Sequence, residues 1–371
     1  MWRRFWGQRR RVDQLIVGAV QGDAIFDEAL MISDALRAWG YQSEMYGESI
    51  SPDLEREVRP YHQYRPGYGH GDVLIFHYSI GSEVSNWVYS LARRVKLVLV
   101  YHNVTPAHYF AGVNEQVRKQ AERGRRELPR FKDKVHLALA DSEFNRQELV
   151  KAGYNPTGVL PIALDKRPYQ QPPDPETMAL FDDGYVNLLF VGRVVPNKRQ
   201  EDVIKVFYHY RQLNPHSRLF LVGSWGRMER YLEWLRGFVR YLKLEDVHFC
   251  GHVPFSQLLA YYRLADVFIS MSEHEGFCKP LLESMYLGVP IVAYAAAGIP
   301  YTLGSAGILI TEKRYEIVAE LIHLLMTKAD FKEAVVARQK ERLEQFSSAR
   351  VMEMLKGYLE KLWGDCEASP V

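Results

Sequence analysis

The chain has 371 residues, enough for two domains, each with a core of ordinary size. Charged residues make up 25% and the AVILMFWYC set 47%, a globular balance that excludes a disordered, fibrous or collagenous chain. Lys and Arg number 47 against 45 Asp and Glu, a formal +2 that excludes a whole-molecule field for nucleic acid and leaves partners to be argued from sites.

In chain order, short apolar runs alternate with amphipathic stretches, the pattern of parallel sheets built from strand–helix–strand units. The predicted strands of the first half are Gln14–Val20, Val73–Tyr78, Leu97–Tyr101 and Leu137–Ala140, with a helix over Ala24–Trp39 that stops at Gly40. Five prolines between Pro161 and Met178 place an interdomain linker there. A second series follows at Val186–Val191, Leu219–Val222, Val267–Ile269, Pro290–Ala293 and Gly307–Ile310. The expected fold is α/β, with two doubly wound domains in tandem. The expected boundaries are 1–165, a linker over 166–178, a second domain over 179–345 and a C-terminal segment over 346–371.

Cys250, Cys278 and Cys366 form an odd set without a close-spaced pair, which points to a reducing, cytoplasmic setting rather than a disulfide or zinc framework. No run approaches the ~18 apolar residues of a membrane span, and Met1–Arg11 lacks the apolar core of a signal peptide. That segment does interleave Trp2, Phe5 and Trp6 with five arginines, and Arg118–Lys134 is a second basic cluster. Each is either a solvated surface or a peripheral contact with an anionic membrane on its inner face.

In open parallel sheets ligands bind beyond the carboxyl ends of the strands. After Val267–Ile269 comes Glu273–Pro290, with Glu275 in a loop and Glu283 about one turn into a helix that Pro280 starts and Gly288 ends. Carboxylates suit diols, and the backbone N–H groups of Phe277, Cys278 and Lys279 at a helix start suit phosphate or sugar oxygens. A core helix with two incidental glutamates is the alternative reading. After Val186–Val191, Gly192 precedes Arg193, and Lys198 stands five positions on, a fork and a point charge able to converge on one anion. Arg199 reads as solvated. Gly22, after the first strand, either lets backbone approach a phosphate or serves a plain turn. His77 reads as structural, whereas His102, beside Asn103 in a polar loop, is open to a structural or a hydroxyl-binding role. H-E-x-x-H, G-x-S-x-G, C-x-x-C and D-x-D are absent, which leaves zinc proteolysis, nucleophile-elbow hydrolysis, dithiol chemistry and a metal-held diphosphate without support.

The strings VGRVVPNKR, LVGSW, HFCGHVP, ADVFISMSEHEGFCKPLLESMYLGVPIVAY and AAAGIPYTLGSAGILI resemble, in order and spacing, the retaining nucleotide-sugar glycosyltransferases of GT-B architecture, family 4 (glycosyl transferases group 1). In the first half, Gly22, Tyr101–Asn103 and ADSEFNRQEL carry a fainter likeness. The resemblance implies two Rossmann-like domains facing each other across a cleft, with a last helix, here Ala349–Trp363, crossing back to an acceptor-binding N-terminal domain. It implies that Arg193 and Lys198 clamp the donor diphosphate, that Glu283 accepts the ribose hydroxyls and that Glu275 faces the sugar. Gly276, Phe277, Cys278 and Lys279 would line the donor, Val253 would lie near the base, Gly22 near the phosphates and His102 near the reacting sugar. No metal and no cofactor is implied, only a nucleoside diphosphate sugar and a glycan or lipid-linked acceptor. An epimerase or phosphorylase on this scaffold, or a non-catalytic nucleotide-sugar binding protein, are the competing readings.

Overall fold

The computed structural model describes residues 10–67, 71–91 and 94–367, and side chains as far as residue 364. The segment Met1–Arg9, which holds most of the first basic and aromatic cluster, lies outside the described residues. The chain divides into two compact units, one made of Met1–Pro106, Gln120–Ala163 and Ser348–Val371, the other of Ala107–Lys119 and Leu164–Ser347.

The first unit contains β1 (Val12–Ala19), α1 (Ala24–Ala38), β2 (Met45–Ile50), β3 (Val58–Pro60), β4 (Val73–Tyr78), α2 (Glu83–Leu91) and β5 (Lys96–Tyr101). The unit boundary falls inside α3 (Glu115–Glu127), after which come β6 (Leu137–Ala140), α4 (Glu143–Lys151) and β7 (Thr157–Val159). Its seven strands run parallel in the order β3-β2-β1-β4-β5-β6-β7. Every residue of β4 and β6 is buried, because helices cover both faces of a parallel sheet and leave no polar side for alternation.

The second unit contains α5 (Pro175–Phe181), β8 (Val186–Val191), α6 (Gln200–Leu213), β9 (Ser217–Val222), α7 (Glu229–Tyr241), β10 (Val247–Gly251) and α8 (Phe255–Leu264). It continues with β11 (Val267–Ser270), α9 (Lys279–Leu287), β12 (Ile291–Tyr294), α10 (Ile299–Leu303), β13 (Ile308–Ile310), α11 (Tyr315–Thr327) and α12 (Ala329–Leu343). Its six parallel strands run in the order β10-β9-β8-β11-β12-β13. The strand order reverses between β1 and β4 in one sheet and between β8 and β11 in the other. Such reversals open a crevice at the carboxyl ends of the strands, where ligands bind.

Two boundaries differ from the expectation. The proline-rich segment 166–178 is not a bare linker but part of the second unit. Pro175 sits in the first turn of α5, where its missing N–H costs nothing, and Asp174 caps that helix by accepting from Thr177 N at 2.8 Å. Residues 107–119, expected in the first domain, group with the second unit.

The last helix, α13 (Ser348–Glu367), returns to the first unit as the resemblance implied. Val351, Leu355, Leu359 and Trp363 join one core with Ile32 and Leu36 of α1 and with Ile75, Val98 and Leu139 of the sheet. Burying each such side chain contributes roughly 1.5–3 kcal/mol. Directional contacts fix the register: Trp363 Nε1 donates to Gly71 O at 3.0 Å and Tyr358 Oη to Val159 O at 3.2 Å. No helix among the described residues is long and apolar enough to cross a membrane. In the second basic cluster Arg118 pairs with Glu115, Arg123 with Glu83 and Glu127, and Arg125 with Glu148, so part of its charge is locally compensated.

Candidate active site

In the second unit the two loops at the strand-order reversal meet. β8 ends at Val191, and the loop that begins with Gly192 makes a tight turn over Pro196–Lys198 before α6. Asn197, buried in that turn, donates from Nδ2 to His274 O at 2.9 Å, and its carbonyl accepts from Glu273 N at 2.9 Å. These bonds stitch the loop after β8 to the loop after β11. They bring Lys198 Nζ to 2.7 Å from Glu275 Oε1, across 77 residues of sequence, with the side chains only 16% and 10% exposed. Burial works against the Lys198 charge, but Glu275 outweighs it and holds the ammonium above its ordinary value. Arg193 itself is exposed, on the loop that Val194 N fixes to Ser224 O at 2.8 Å. Arg199, expected to be solvated, instead pairs with Glu201, Asp202 and Glu273 in an ionic cluster that Lys313 completes.

The loop after β11 is held in a shape that few side chains adopt. Cys278 precedes α9 with φ 72° and ψ 68°, in the left-handed region, and is buried. A non-glycine residue there costs of order 1–3 kcal/mol and persists only where its surroundings fix it. Thr302 Oγ1 donates to Phe277 O at 2.6 Å, and Gly298 N donates to Glu275 O at 2.9 Å. Burial raises the Cys278 thiol well above its ordinary value, so it stays protonated and is no nucleophile. α9 starts directly after this loop, with Pro280 in its first turn and Leu281 N donating to Cys278 O at 3.0 Å, and its N-terminal end carries the positive pole of the helix. Gly276 lies in the same loop. Val253 follows β10, two strands from β8, about 10 Å away at the usual strand spacing.

Glu283 lies inside α9 and is buried, with both carboxylate oxygens already engaged. Tyr169 Oη donates to Oε1 at 2.8 Å and Tyr262 Oη to Oε2 at 2.6 Å, while Lys279 Nζ stands at 4.0 Å. Neither tyrosine is distinguished in the sequence. Tyr262 reads as one of several apolar positions of α8, and Tyr169 falls among the prolines.

The first unit has its own polar cluster at the reversal between β1 and β4. Gly22 has φ +80° with open space around its Cβ position, so the turn conformation, rather than crowding, calls for glycine. Next to it Asp23 caps α1, accepting from Ile25 N and Phe26 N. The His102 imidazole is buried, 2% exposed. Gln14 uses both Nε2 hydrogens on Ala29 O and Ser33 Oγ, each at 2.8 Å, so its Oε1 must accept from His77 Nε2 at 2.9 Å. His77 Nδ1 then accepts from His102 Nε2–H at 2.9 Å. His102 Nδ1 is left facing Glu28 at 3.6 Å and Asp141 at 3.7 Å. Among the described residues, Glu28, His77 and His102 are the one group whose ligand atoms, within 4.8 Å of one another, could hold a metal, but the facing nitrogens of the two histidines are spent on each other.

Burial opposes a charge on His102, yet Glu28 and Asp141 outweigh it and raise its affinity for a proton; burial and His102 together push His77 well down. Because the folded value of His102 lies above its unfolded value of 6.5, its stabilisation is complete below that pH and is lost as pH rises through the folded value. In urea unfolding the stability lost by His102→Gln is therefore expected to be largest at acid pH and to shrink as pH rises. A loss that grows with pH would contradict this arrangement.

The residue after His102 adopts φ 74°: Asn103 donates from Nδ2 to Asn145 Oδ1 at 2.7 Å and to Glu148 Oε2 at 3.1 Å. Tyr101 Oη donates to the same Glu148 oxygen at 2.8 Å. The two short strings that marked the first half, Tyr101–Asn103 and Ala140–Leu149, are thus hydrogen-bonding partners.

Comparison with known proteins supports the same region. Residues 179–342 match the family model for glycosyl transferases group 1. The chain is 27% identical over 235 residues to O-antigen chain mannosyltransferase B of Escherichia coli, an alignment that covers 58% of each and so little more than half the relative's length. It is 26% identical over 302 residues to D-inositol 3-phosphate glycosyltransferase of Actinosynnema mirum, covering 77% of this chain and 72% of that one. The crystal structure of HepE from Anabaena in complex with UDP-glucose shares the fold, with a TM-score of 0.72 at 18% identity over 95% of this chain and 99% of the other. Arg193, Lys198, Glu275 and Glu283 all fall within residues 179–342, the segment that is similar to the glycosyl transferases group 1 family.

Proposed function

We propose that the chain transfers a sugar from a nucleoside diphosphate sugar to a hydroxyl acceptor, with retention of anomeric configuration and without a divalent metal. The observation that carries this reading is the Lys198–Glu275 pair, 2.7 Å apart at the sheet reversal and beside the start of α9. Breaking the sugar–phosphate bond leaves negative charge on the diphosphate and positive character on the anomeric carbon. Lys198, Arg193 and the α9 N-terminus supply fixed positive potential for the first, the role a metal plays elsewhere. Glu275 hands its lysine to the phosphate and faces the sugar, while Gly276, Phe277, Cys278 and Lys279 offer backbone N–H groups. Val253 borders the base, Gly22 the phosphates, and Glu283 the ribose. His102 contributes by fixing the Tyr101–Val104 loop, since its ring is buried.

In the proposed step the acceptor oxygen bonds to the anomeric carbon as the bond from that carbon to the phosphate oxygen breaks. The acceptor proton passes to the departing phosphate on the same face. The names of the relatives, an O-antigen chain mannosyltransferase and a D-inositol 3-phosphate glycosyltransferase, support a glycan or polyol-bearing acceptor, as in cell-surface polysaccharide assembly. A thermal-shift panel of UDP-, GDP-, ADP- and TDP-sugars, each with and without EDTA, tests donor binding, because a ligand of the native state raises its stability. We expect one nucleotide class to raise Tm in both conditions. Indifference to all four, or a shift that EDTA abolishes, would overturn the proposal.

A further inference from the structure

We infer that Tyr169 and Tyr262 are positioning residues that aim the Glu283 carboxylate at the two hydroxyls of the donor ribose. The inference rests on the reading of Glu283 as the ribose acceptor and adds the groups that make it competent. A carboxylate on a rotatable bond presents its lone pairs in many directions. Here each oxygen is tied down separately, Oε1 by Tyr169 at 2.8 Å and Oε2 by Tyr262 at 2.6 Å. An ionised carboxylate oxygen accepts about two hydrogen bonds, so each tyrosine leaves one acceptor site on its oxygen. Two such sites on one planar group, one per oxygen, match a vicinal diol, and 8% of the Glu283 side chain is still exposed to receive it.

The two donors are themselves rigid. Tyr262 is buried in α8, and burial, reinforced by Glu283, raises its hydroxyl well above the ordinary value, so it stays a donor. The Tyr169 ring packs against Phe255 and Tyr286, with centroids 5.1 and 5.5 Å away. The carboxylate is therefore oriented before the ligand arrives, and little freedom remains to be lost on binding.

The test is a calorimetric comparison of UDP, GDP and ADP, each with its 2′,3′-dideoxy counterpart, on wild type, Tyr169→Phe, Tyr262→Phe and Glu283→Gln. Each Phe variant keeps the ring and removes only the hydroxyl, and the two positions are independent should one variant fold poorly. We expect wild type to prefer the ribose form, and each Phe variant to lose about tenfold in affinity for it while binding the dideoxy form unchanged. A general loss of structure would weaken both ligands alike, and that result would overturn the inference. Tighter ribonucleotide binding by the Phe variants would also overturn it, because the tyrosines would then be competitors of the ribose. If Glu283→Gln loses the ribose preference while both Phe variants keep it, only the positioning role falls. If Glu283→Gln keeps the preference, the ribose-acceptor reading falls with it.

Discussion

Replacing Lys198 by alanine lowers turnover by roughly 10²–10³, the usual effect of removing a preorganised group that stabilises a developing oxyanion. The expectation follows from position. Lys198 leaves the end of β8 through a turn that Asn197 pins to the neighbouring loop, so its ammonium reaches the crevice from a fixed backbone. Glu275 keeps it charged without a ligand, and its largely buried stem prevents it from wandering into solvent. The same substitution strands the Glu275 carboxylate, and breaking a buried pair costs about 3–5 kcal/mol at full burial, somewhat less at this partial exposure. Stability and catalysis are separable here. Adding Glu275→Gln to Lys198→Ala should restore much of the lost Tm and none of the lost turnover. If the double variant recovers activity with stability, Lys198 serves folding rather than the leaving group.

The second large effect is expected at Gly298, which no charge or hydrogen-bonding side chain marks out. A Cβ placed there would stand 2.0 Å from Gly276 O and 2.9 Å from Glu275 O. Both contacts are backbone, so neither can swing aside as a side chain would. Gly298→Ala must therefore push the Glu275–Phe277 strand of loop away from α10 and break the bond from Gly298 N to Glu275 O. Overpacking of this kind costs roughly 1–3 kcal/mol. Since a 1 Å misplacement at a reacting centre costs on the order of 10²-fold, the activity loss should exceed what the stability loss explains. Steady-state kinetics and thermal unfolding of Gly298→Ala check this; normal kcat with lowered Tm would contradict it.

What the sequence made legible was set by burial. β4 and β5 read clearly as strands because both faces are covered, which turns them into continuous apolar runs. β2 escaped notice: only Met45, Tyr46 and Gly47 of its six residues are buried, next to an edge strand of three residues. β10 is likewise an edge strand with four half-buried residues. In the site, Glu275 and the α9 start stood out because loop, proline and acid are local in sequence, and Lys198 because it follows a strand and a glycine; their pairing across 77 residues was not legible. Tyr169 and Tyr262 were not, since their bonds to Glu283 span 114 and 21 residues and no periodicity encodes a hydroxyl meeting an acid at that range. The burial of His102 was hidden for a related reason. It depends on Gln14 and His77, on two neighbouring strands, taking up its Nε2 proton.

The most direct test of the whole account is a crystal structure of the protein with its nucleoside diphosphate sugar, grown with EDTA present. The pyrophosphate is expected within hydrogen-bonding distance of Lys198 Nζ, with Arg193 and the N-terminal end of α9 facing its other oxygens. A pyrophosphate bound away from Lys198 and α9, or one that enters the crystal only with a divalent cation, would contradict this.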